Sequence, residues 1–388
     1  MDAVQALRDA GQGRGGMNYD AAVIGGGPAG AALATHLARA GRSVVVFEKE
    51  AVAHDKVCGE FLSHEGVGYL ESLGLPVDEL GALTLSHVRL AGTGEPVTAP
   101  LPFEARSLSR RVLDEALLRL ASSAGAEIRR GVRVKSVTGT MNGFAFLPER
   151  GSEVFANAAF LASGKHDIKD FKRERGAHPE CLAFKTYWRL QPEEAAALSA
   201  HIELILFRGG YAGLQPVEGG RANLCLIVRK DVYADRYGSW EAVLDALRHE
   251  APHAGRRLSG AECLTERPLA IAGLPYGFLA RSNGWLWRIG DQAAVIPSFS
   301  GDGMSIALHT AHRAAGIYLS GEGADVFQAA LARDLSAQIR RATALSRLLV
   351  SPMGQKLAMN AAYMLPRMLS FGADWTRIPP RALDRAAL

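Results

Sequence analysis

Ala21-Ala-Val-Ile-Gly25-Gly-Gly27-Pro28-Ala29-Gly30-Ala-Ala-Leu33 is the stretch on which the fold turns. An apolar run ends at Gly25, a Gly-x-Gly-x-x-Gly set follows, and Leu33 and Leu37 recur at helical spacing until Gly41. The pattern reads as buried strand, tight turn and helix. Gly25 permits the sharp turn, Gly27 lets the backbone approach a pyrophosphate, and Gly30 lets the helix pack closely on the strand. Free N–H groups and the helix dipole then face phosphate. A second buried strand, Ser43 to Phe47, ends in Glu48, 23 residues after Gly25. A carboxylate there accepts the hydroxyls of an adenosine ribose and repels a 2′-phosphate, so FAD or NAD fits and NADP does not. The plain alternative is a glycine-rich turn with a solvated glutamate. Strand, turn, helix, strand and acid in that order argue against it.

Working outward, 388 residues are too many for one simple core and imply two domains or a large insertion. Hydrophobic residues make up 48% and charged residues 22%, as in a globular enzyme, while 42 glycines imply many special turns. A net charge of +4, with scattered bases, gives no footing for nucleic acid. Cys58, Cys181, Cys225 and Cys263 form no Cys-x-x-Cys pair and have no histidines at ligand spacing, so neither a disulfide framework nor a metal site is expected. Residues 1–16 lack the apolar centre of a secretory signal and read as a disordered leader of a cytoplasmic protein, with Met17 an alternative start.

After Glu48, the loop Lys49 to His64 is polar and punctuated by Gly59. Lys56 could meet a phosphate or ribityl chain, Gly59 could allow a ring to approach, and Cys58 either faces that ring or is a small buried apolar group. A helix runs on through Leu73, and Gly92-Thr-Gly94 suggests a hairpin. Ser109 caps an amphipathic helix with Leu113, Leu117 and Leu120 on its buried stripe. One strand is expected from Ala126 to Val137, and Val154 to Ala162 returns the chain to the parallel sheet before Ser163-Gly164. From Lys185 to Arg281, consecutive strand-like runs favour an antiparallel substrate sheet, with a helix near Trp240 to His249. Trp285 to Asp291 is the return strand. The turn Pro297-Ser-Phe-Ser-Gly301-Asp302-Gly303-Met304 then feeds a second helix, whose N-terminal amides could stabilise negative charge on a ligand. The tail from Arg340 reads as short amphipathic helices, either a cap on the core or a lid over a greasy substrate.

Three ordered motifs carry a resemblance: Gly25-x-Gly27-x-x-Gly30 with Glu48; Arg110-x-x-Leu113-Asp114; and Gly290-Asp291 with Pro297 and Gly301-x-Gly303. From Tyr19 to about Leu319 the chain resembles the FAD-dependent oxidoreductases of the aromatic hydroxylase and geranylgeranyl reductase superfamily. The resemblance implies an α/β fold: a Rossmann-like FAD-binding domain (17–84, 105–165 and 281–339), an inserted antiparallel substrate domain (85–104 and 166–280), and a helical C-terminal cap (340–388). It implies that Glu48 binds the ribose, Arg110 lies by the pyrophosphate, Asp291 holds the ribityl and phosphate groups, and Gly301 to Met304 present N–H groups to the flavin N1 and O2 edge. The cofactor set is then Gly25, Gly27, Pro28, Ala29, Gly30, Glu48, Lys49, Lys56, Cys58, Gly59, Arg110, Val134, Ser163, Gly290, Asp291, Pro297, Gly301, Asp302, Gly303 and Met304.

Lys56-x-Cys58-Gly59-Glu60 is similar to the cysteine-glycine loop of geranylgeranyl reductase-like members, which lies against the flavin. Their Tyr-x-Trp-x-Phe-Pro motif is reduced here to Tyr211-Ala-Gly213-Leu-Gln215-Pro216, and the Asp-Gly segment of aromatic hydroxylases to Ser163-Gly164. Trp285-Leu-Trp287-Arg-Ile289-Gly290 nearly matches a halogenase motif but ends in glycine on the return strand, so its tryptophans are expected in the core.

The leading expectation is a monooxygenase that hydroxylates an aromatic or hydrophobic small molecule through a flavin C4a-hydroperoxide, with NAD(P)H as transient reductant. Cys58, His166 and Tyr211 form its catalytic set, and Lys185, Tyr187 and His309 are further polar candidates. The alternatives are a reductase of carbon–carbon double bonds in an isoprenoid-like substrate and an electron carrier serving a partner. A weak membrane-surface contact through the tail completes the expected partners.

Overall fold

The computed structural model describes residues 18–140, 143–169, 171–281 and 284–384, so the expected leader lies outside them. β1 (Asn18–Ile24) runs into α1 (Pro28–Arg39) and β2 (Val44–Glu48). Five successive buried residues in β2 mark a strand covered on both faces, as parallel sheets require. β3 (Phe61–Leu62) and α2 (His64–Ser72) lead to the hairpin of β4 (Leu83–Ala91) and β5 (Val97–Ser107). α3 (Arg110–Ser123) starts where expected, its first turn capped by Ser109, whose hydroxyl accepts the Val112 N–H. β6 (Glu127–Arg130), β7 (Val134–Thr140), β8 (Gly143–Pro148) and β9 (Val154–Leu161) follow.

The first sheet has the order β6-β2-β1-β9-β8-β7, and β16 (Trp287–Arg288) pairs in parallel with the far end of β9. Its β6-β2-β1-β9 half is parallel, while β8 and β7 are antiparallel additions. The single strand expected from Ala126 to Val137 is two strands. Gly131 sits between them at φ +68°, a left-handed turn that sends β6 and β7 to opposite edges of the sheet.

The second sheet joins β3, β4 and β5 to β10 (Cys181–Arg189), β11 (His201–Phe207), β12 (Gly210–Val217) and β13 (Arg221–Arg229). β14 (Glu262–Cys263) and β15 (Leu269–Ala272) both pair with β10. Residues alternate between two faces, as the pleat demands. Phe184, Leu224, Leu226 and Phe207 pack on α5 (Trp240–Glu250) and α6 (Pro252–Arg257), with α4 (Pro192–Leu198) at one end. Ala183, Gly213, Cys225 and Ile227 face a cavity between the two sheets.

α7 (Gly303–Leu319) lies on α1, and α8 (Ala324–Leu349) covers β16 through Phe327, whose ring stacks on Trp287. Trp287 is in the core, as expected, whereas Trp285 is 41% exposed, its ring stacked on Phe144. α8 is one 26-residue helix, so the boundary expected at residue 340 falls inside it. Ala330, Leu331, Leu335, Ile339 and Ala342 hold one buried stripe through that point. α9 (Pro352–Met364) and α10 (Arg367–Trp375) then cross the open edge of the cavity.

Two sites of this fold give direct tests. A Cβ on Gly30 would lie 1.9 Å from the Gly25 carbonyl oxygen, with backbone on both sides of the clash. Gly30→Ala is therefore expected to cost about 3 kcal/mol, measured by denaturant unfolding; an unchanged midpoint would contradict this packing.

The second test is Glu203, buried under the substrate sheet. His253 Nε2 and Arg257 Nη2 each lie 2.9 Å from its carboxylate, and Arg89 is also bonded to it. Burial alone would raise its pKa, but the hydrogen bonds from His253 and Arg257 outweigh burial and carry it down to about 2. The stability it adds is present above pH 4.5 and lost as pH falls toward 2. Glu203→Gln should remove an acid-sensitive contribution on the order of 3 kcal/mol from the pH–stability curve; an identical acid limb would contradict the assignment.

Candidate functional site

A cavity of about 1270 Å³ runs from the first glycine turn to the C-terminal helices. Ordinary small-molecule pockets occupy roughly 300–1,000 Å³, so this one has room for a dinucleotide and a second ligand. Its nucleotide end is built by the β1–α1 turn. Gly25, at φ +112°, faces Ala162 so closely that a Cβ would lie 2.3 Å from the Ala162 oxygen. α1 begins at Gly27 with Pro28 at its first position and no side-chain cap, leaving its N–H groups open to the cavity. Ala29 lines the same wall, and Gly30 is turned inward onto Gly25, which is the packing role expected of it.

The Glu48 carboxylate is buried and accepts the N–H groups of Gly26 at 2.9 Å and Glu50 at 3.0 Å, with Lys49, Val134 and Ser163 along the same rim. Opposite the helix start, Arg110 gives a double hydrogen bond to Asp114 at 2.7 and 2.9 Å, and Lys56 reaches the same carboxylate at 2.7 Å. Burial would raise the Asp114 pKa, but the two cations hold it below its ordinary value. One anion against two cations leaves a net positive charge beside Gly27, whose Cβ position is 3.4 Å from Arg110 Nη2. An open helix N-terminus and this surplus charge suit a pyrophosphate.

The middle of the cavity is bounded by Cys58, Gly59 and Glu60 on one side and by Gly290, Asp291 and Gly301 to Met304 on the other, with Asp302 withdrawn. Side chains on Gly59 or Gly303 would meet no protein atom, so internal packing gives no reason for glycine at either place. Close approach of a flat ligand from both sides gives one. Cys58 Sγ accepts the Glu60 N–H at 3.3 Å and also pairs with Arg110. The first turn of α7 has no side-chain cap, so its amides also open on this space.

Several expected site residues lie elsewhere. The Asp302 carboxylate faces inward, bonded to Ser63 Oγ and Arg377 Nη1 at 3.0 Å each and to Gln338, because a buried charge takes the nearest donors. Pro297 turns away while its neighbours Ser298 and Phe299 line the wall. His309 is buried behind α7, 2.7 Å from the Tyr69 hydroxyl and 3.6 Å from Asp334. His166 is an exposed rim residue. Its pKa is lowered by partial burial and then by the surrounding cations Lys49, Arg133, Arg173 and Lys165. Tyr211 does line the cavity, its hydroxyl 3.3 Å from both Ser298 Oγ and the Phe299 N–H.

Lys185 and Tyr187 do not line the cavity themselves; both are bonded to Glu60, which does. Glu60 is buried, with φ +63°, a backbone conformation costly for a residue that carries a Cβ. Its carboxylate accepts Lys185 Nζ at 2.5 Å, the Tyr187 hydroxyl at 2.8 Å and the Arg110 N–H at 2.8 Å. Its carbonyl accepts Gln215 Nε2 at 2.9 Å and the Leu108 N–H at 3.2 Å. Burial pushes the Glu60 pKa above its ordinary value despite Lys185. One residue thus ties the cysteine loop, α3 and the substrate sheet together.

Beyond it the walls become apolar. Leu90 and Leu204 from the second sheet face Leu345, Leu349, Leu357, Ala361 and Leu369 from the C-terminal helices. The tail therefore builds one end of the chamber.

Lys185→Met would leave the Glu60 carboxylate buried without its counter-charge, which costs about 3–5 kcal/mol at neutral pH. Because the Glu60 pKa is raised, the deficit should grow as pH rises and shrink as pH falls and the carboxyl protonates. Chemical denaturation across pH measures it; a pH-independent loss would contradict the Glu60 pairing.

The model of an FAD binding domain matches residues 18–146. A menaquinone reductase of Mycolicibacterium smegmatis is 29% identical over 78% of this chain and 76% of its own length. Digeranylgeranylglycerophospholipid reductase 2 of Methanopyrus kandleri is 28% identical over 75% and 74%. The squalene epoxidase of Saccharomyces cerevisiae is 35% identical, over only 23% of this chain and 18% of its own. Among solved structures, a flavin-dependent brominase superposes with a TM-score of 0.74 at 20% identity, covering 95% of this chain and 98% of its own, which establishes the shared fold. With its glycine turn, open helix N-termini and matched FAD-binding domain, the chain resembles the FAD-dependent oxidoreductases of the superfamily that holds the aromatic hydroxylases and geranylgeranyl reductases.

Proposed function

We propose that this protein is an FAD-dependent reductase that saturates a carbon–carbon double bond in the isoprenoid chain of a lipid-like substrate. The observation that carries this reading is the apolar chamber between the second sheet and the C-terminal helices, continuous with the space beside Cys58 and Gly59. A long hydrocarbon fits its walls. Of the polar groups expected to activate a phenol, His166, Lys185, Tyr187 and His309 are at the rim or committed to Glu60, Tyr69 and Asp334, and only Tyr211 lines the chamber, its hydroxyl held by Ser298 and the Phe299 N–H. The relatives that align over about three quarters of the chain are named as reductases of a quinone and of a geranylgeranyl lipid.

In this reading the α1 N-terminus and Arg110 hold the pyrophosphate, Glu48 the ribose, and the first turn of α7 the electron-rich edge of the ring system. FAD held by these residues, once reduced by an electron donor, would supply the hydride for one carbon of the double bond. Cys58 Sγ, at the joint of the cavity, carries the proton for the other carbon, and Tyr211 borders the chamber. The apolar walls exclude water and orient the chain. A pure electron carrier would have no use for such a chamber. The short stretch shared with squalene epoxidase favours monooxygenation as a second reading, in which the product gains an oxygen atom.

The test is anaerobic. Reduced holoprotein given a geranylgeranyl lipid that carries no quinone is expected to reoxidise and yield a product heavier by two hydrogens, and Cys58→Ala should slow this step while retaining FAD. No saturation without oxygen, together with an oxygenated product in air, would overturn the reductase reading in favour of the second.

A further inference from the structure

We propose that α9 and α10 dock this protein on an anionic lipid bilayer. The largest exposed apolar side chains gather here: Met364 is 87% exposed, Met353 75%, Phe371 57%, Leu357 55% and Leu365 52%. Scattered surface apolar residues are ordinary, but a contiguous set on two neighbouring helices marks a surface made for contact. The Phe371 and Trp375 rings stack at 6.2 Å, and the Arg341 guanidinium lies 5.4 Å from the Trp375 ring. Ring and cation together form the amphipathic pair that settles at a headgroup layer.

Charge selects the partner. Between Asp334 and Asp374 the sequence contains no acid and five bases, Arg340, Arg341, Arg347, Lys356 and Arg367, although the whole chain carries only +4. Anionic lipid attracts juxtaposed bases, and apolar side chains inserted at the interface add to the binding. None of the helices among the described residues is long and apolar enough to cross a membrane, so the contact lies in the interface plane.

The patch also opens on the cavity. Leu348, Leu357, Met368, Phe371 and Trp375 are exposed and at the same time line it. A bilayer held against this face would place a lipid chain at the chamber mouth without passage through water. That route rests on the reductase reading above; the docking itself does not.

Flotation of the holoprotein on a density gradient, followed by flavin absorbance, tests docking without reference to turnover. The probes are vesicles of phosphatidylcholine alone and of phosphatidylcholine mixed with phosphatidylglycerol. The protein is expected to float with the mixed vesicles and to be released by high salt. Met353→Asp with Met364→Asp, neither a cavity residue, should lower the bound fraction roughly tenfold with flavin content and melting temperature unchanged. A wild-type protein that stays at the bottom with both vesicles, or flotation indifferent to phosphatidylglycerol or to the two substitutions, would overturn the proposal. So would a dimer that the substitutions split in the absence of flotation, which would give the face to a second copy.

Discussion

The buried carboxylate of Glu60 is the constraint around which the two halves of this molecule are arranged. An ionised carboxylate cannot be taken out of water unless donors replace the lost hydration. Here the donors come from two places far apart in the chain: the start of α3 through the Arg110 N–H, and β10 through Lys185 and Tyr187. The residue sits in left-handed backbone, and its carbonyl is held by Gln215 of β12 and by Leu108. Such strain persists only where the surroundings over-determine it. Any shift of the second sheet relative to α3 would leave Glu60 or Lys185 unpaired, so the ion pair sets the relation between the nucleotide site and the chamber. Asn223 adds to the same joint, its amide 3.0 Å from the carbonyls of both Cys58 and Gly59.

This arrangement produces a cavity with a gradient along its length. At one end, helix N-termini and the Arg110–Asp114–Lys56 cluster offer N–H groups and a net positive charge. At the other, leucines and methionines from the last helices face the sheet. The two ends also communicate mechanically. Arg377, just beyond α10, reaches Asp302 and the Ser300 carbonyl at the start of α7, and Gln338 of α8 bonds both Asp302 and the Thr376 carbonyl. The cap is thereby fastened to the loop that borders the ligand space.

What the sequence made legible was local. The β1–α1 turn, the Ser109 cap and the second glycine turn each depend on residues close in sequence, and Glu48 ends the next strand of the same strand–helix–strand unit. The fates of Lys185, Tyr187, Asp302 and His309 were not legible, because each is decided by a partner distant in the chain. Lys185 and Glu60 are 125 residues apart, and Tyr69 and His309 are 240 apart. A charged residue between Gly59 and the apolar pair Phe61-Leu62 was the available sign that Glu60 would be buried. The short amphipathic helices expected in the tail are α9 and α10, yet the continuity of residue 340 with α8 follows from a buried stripe that only packing reveals.

The most direct measurement is a crystal structure of the protein with FAD and a lipid that carries an isoprenoid chain. The account requires the dinucleotide to run from Glu48 past Gly27 to Cys58 and Gly303, with the hydrocarbon continuing between Leu204 and Leu349 under α9. A hydrocarbon bound outside that chamber, or a flavin ring turned away from Cys58 and Gly59, would contradict it.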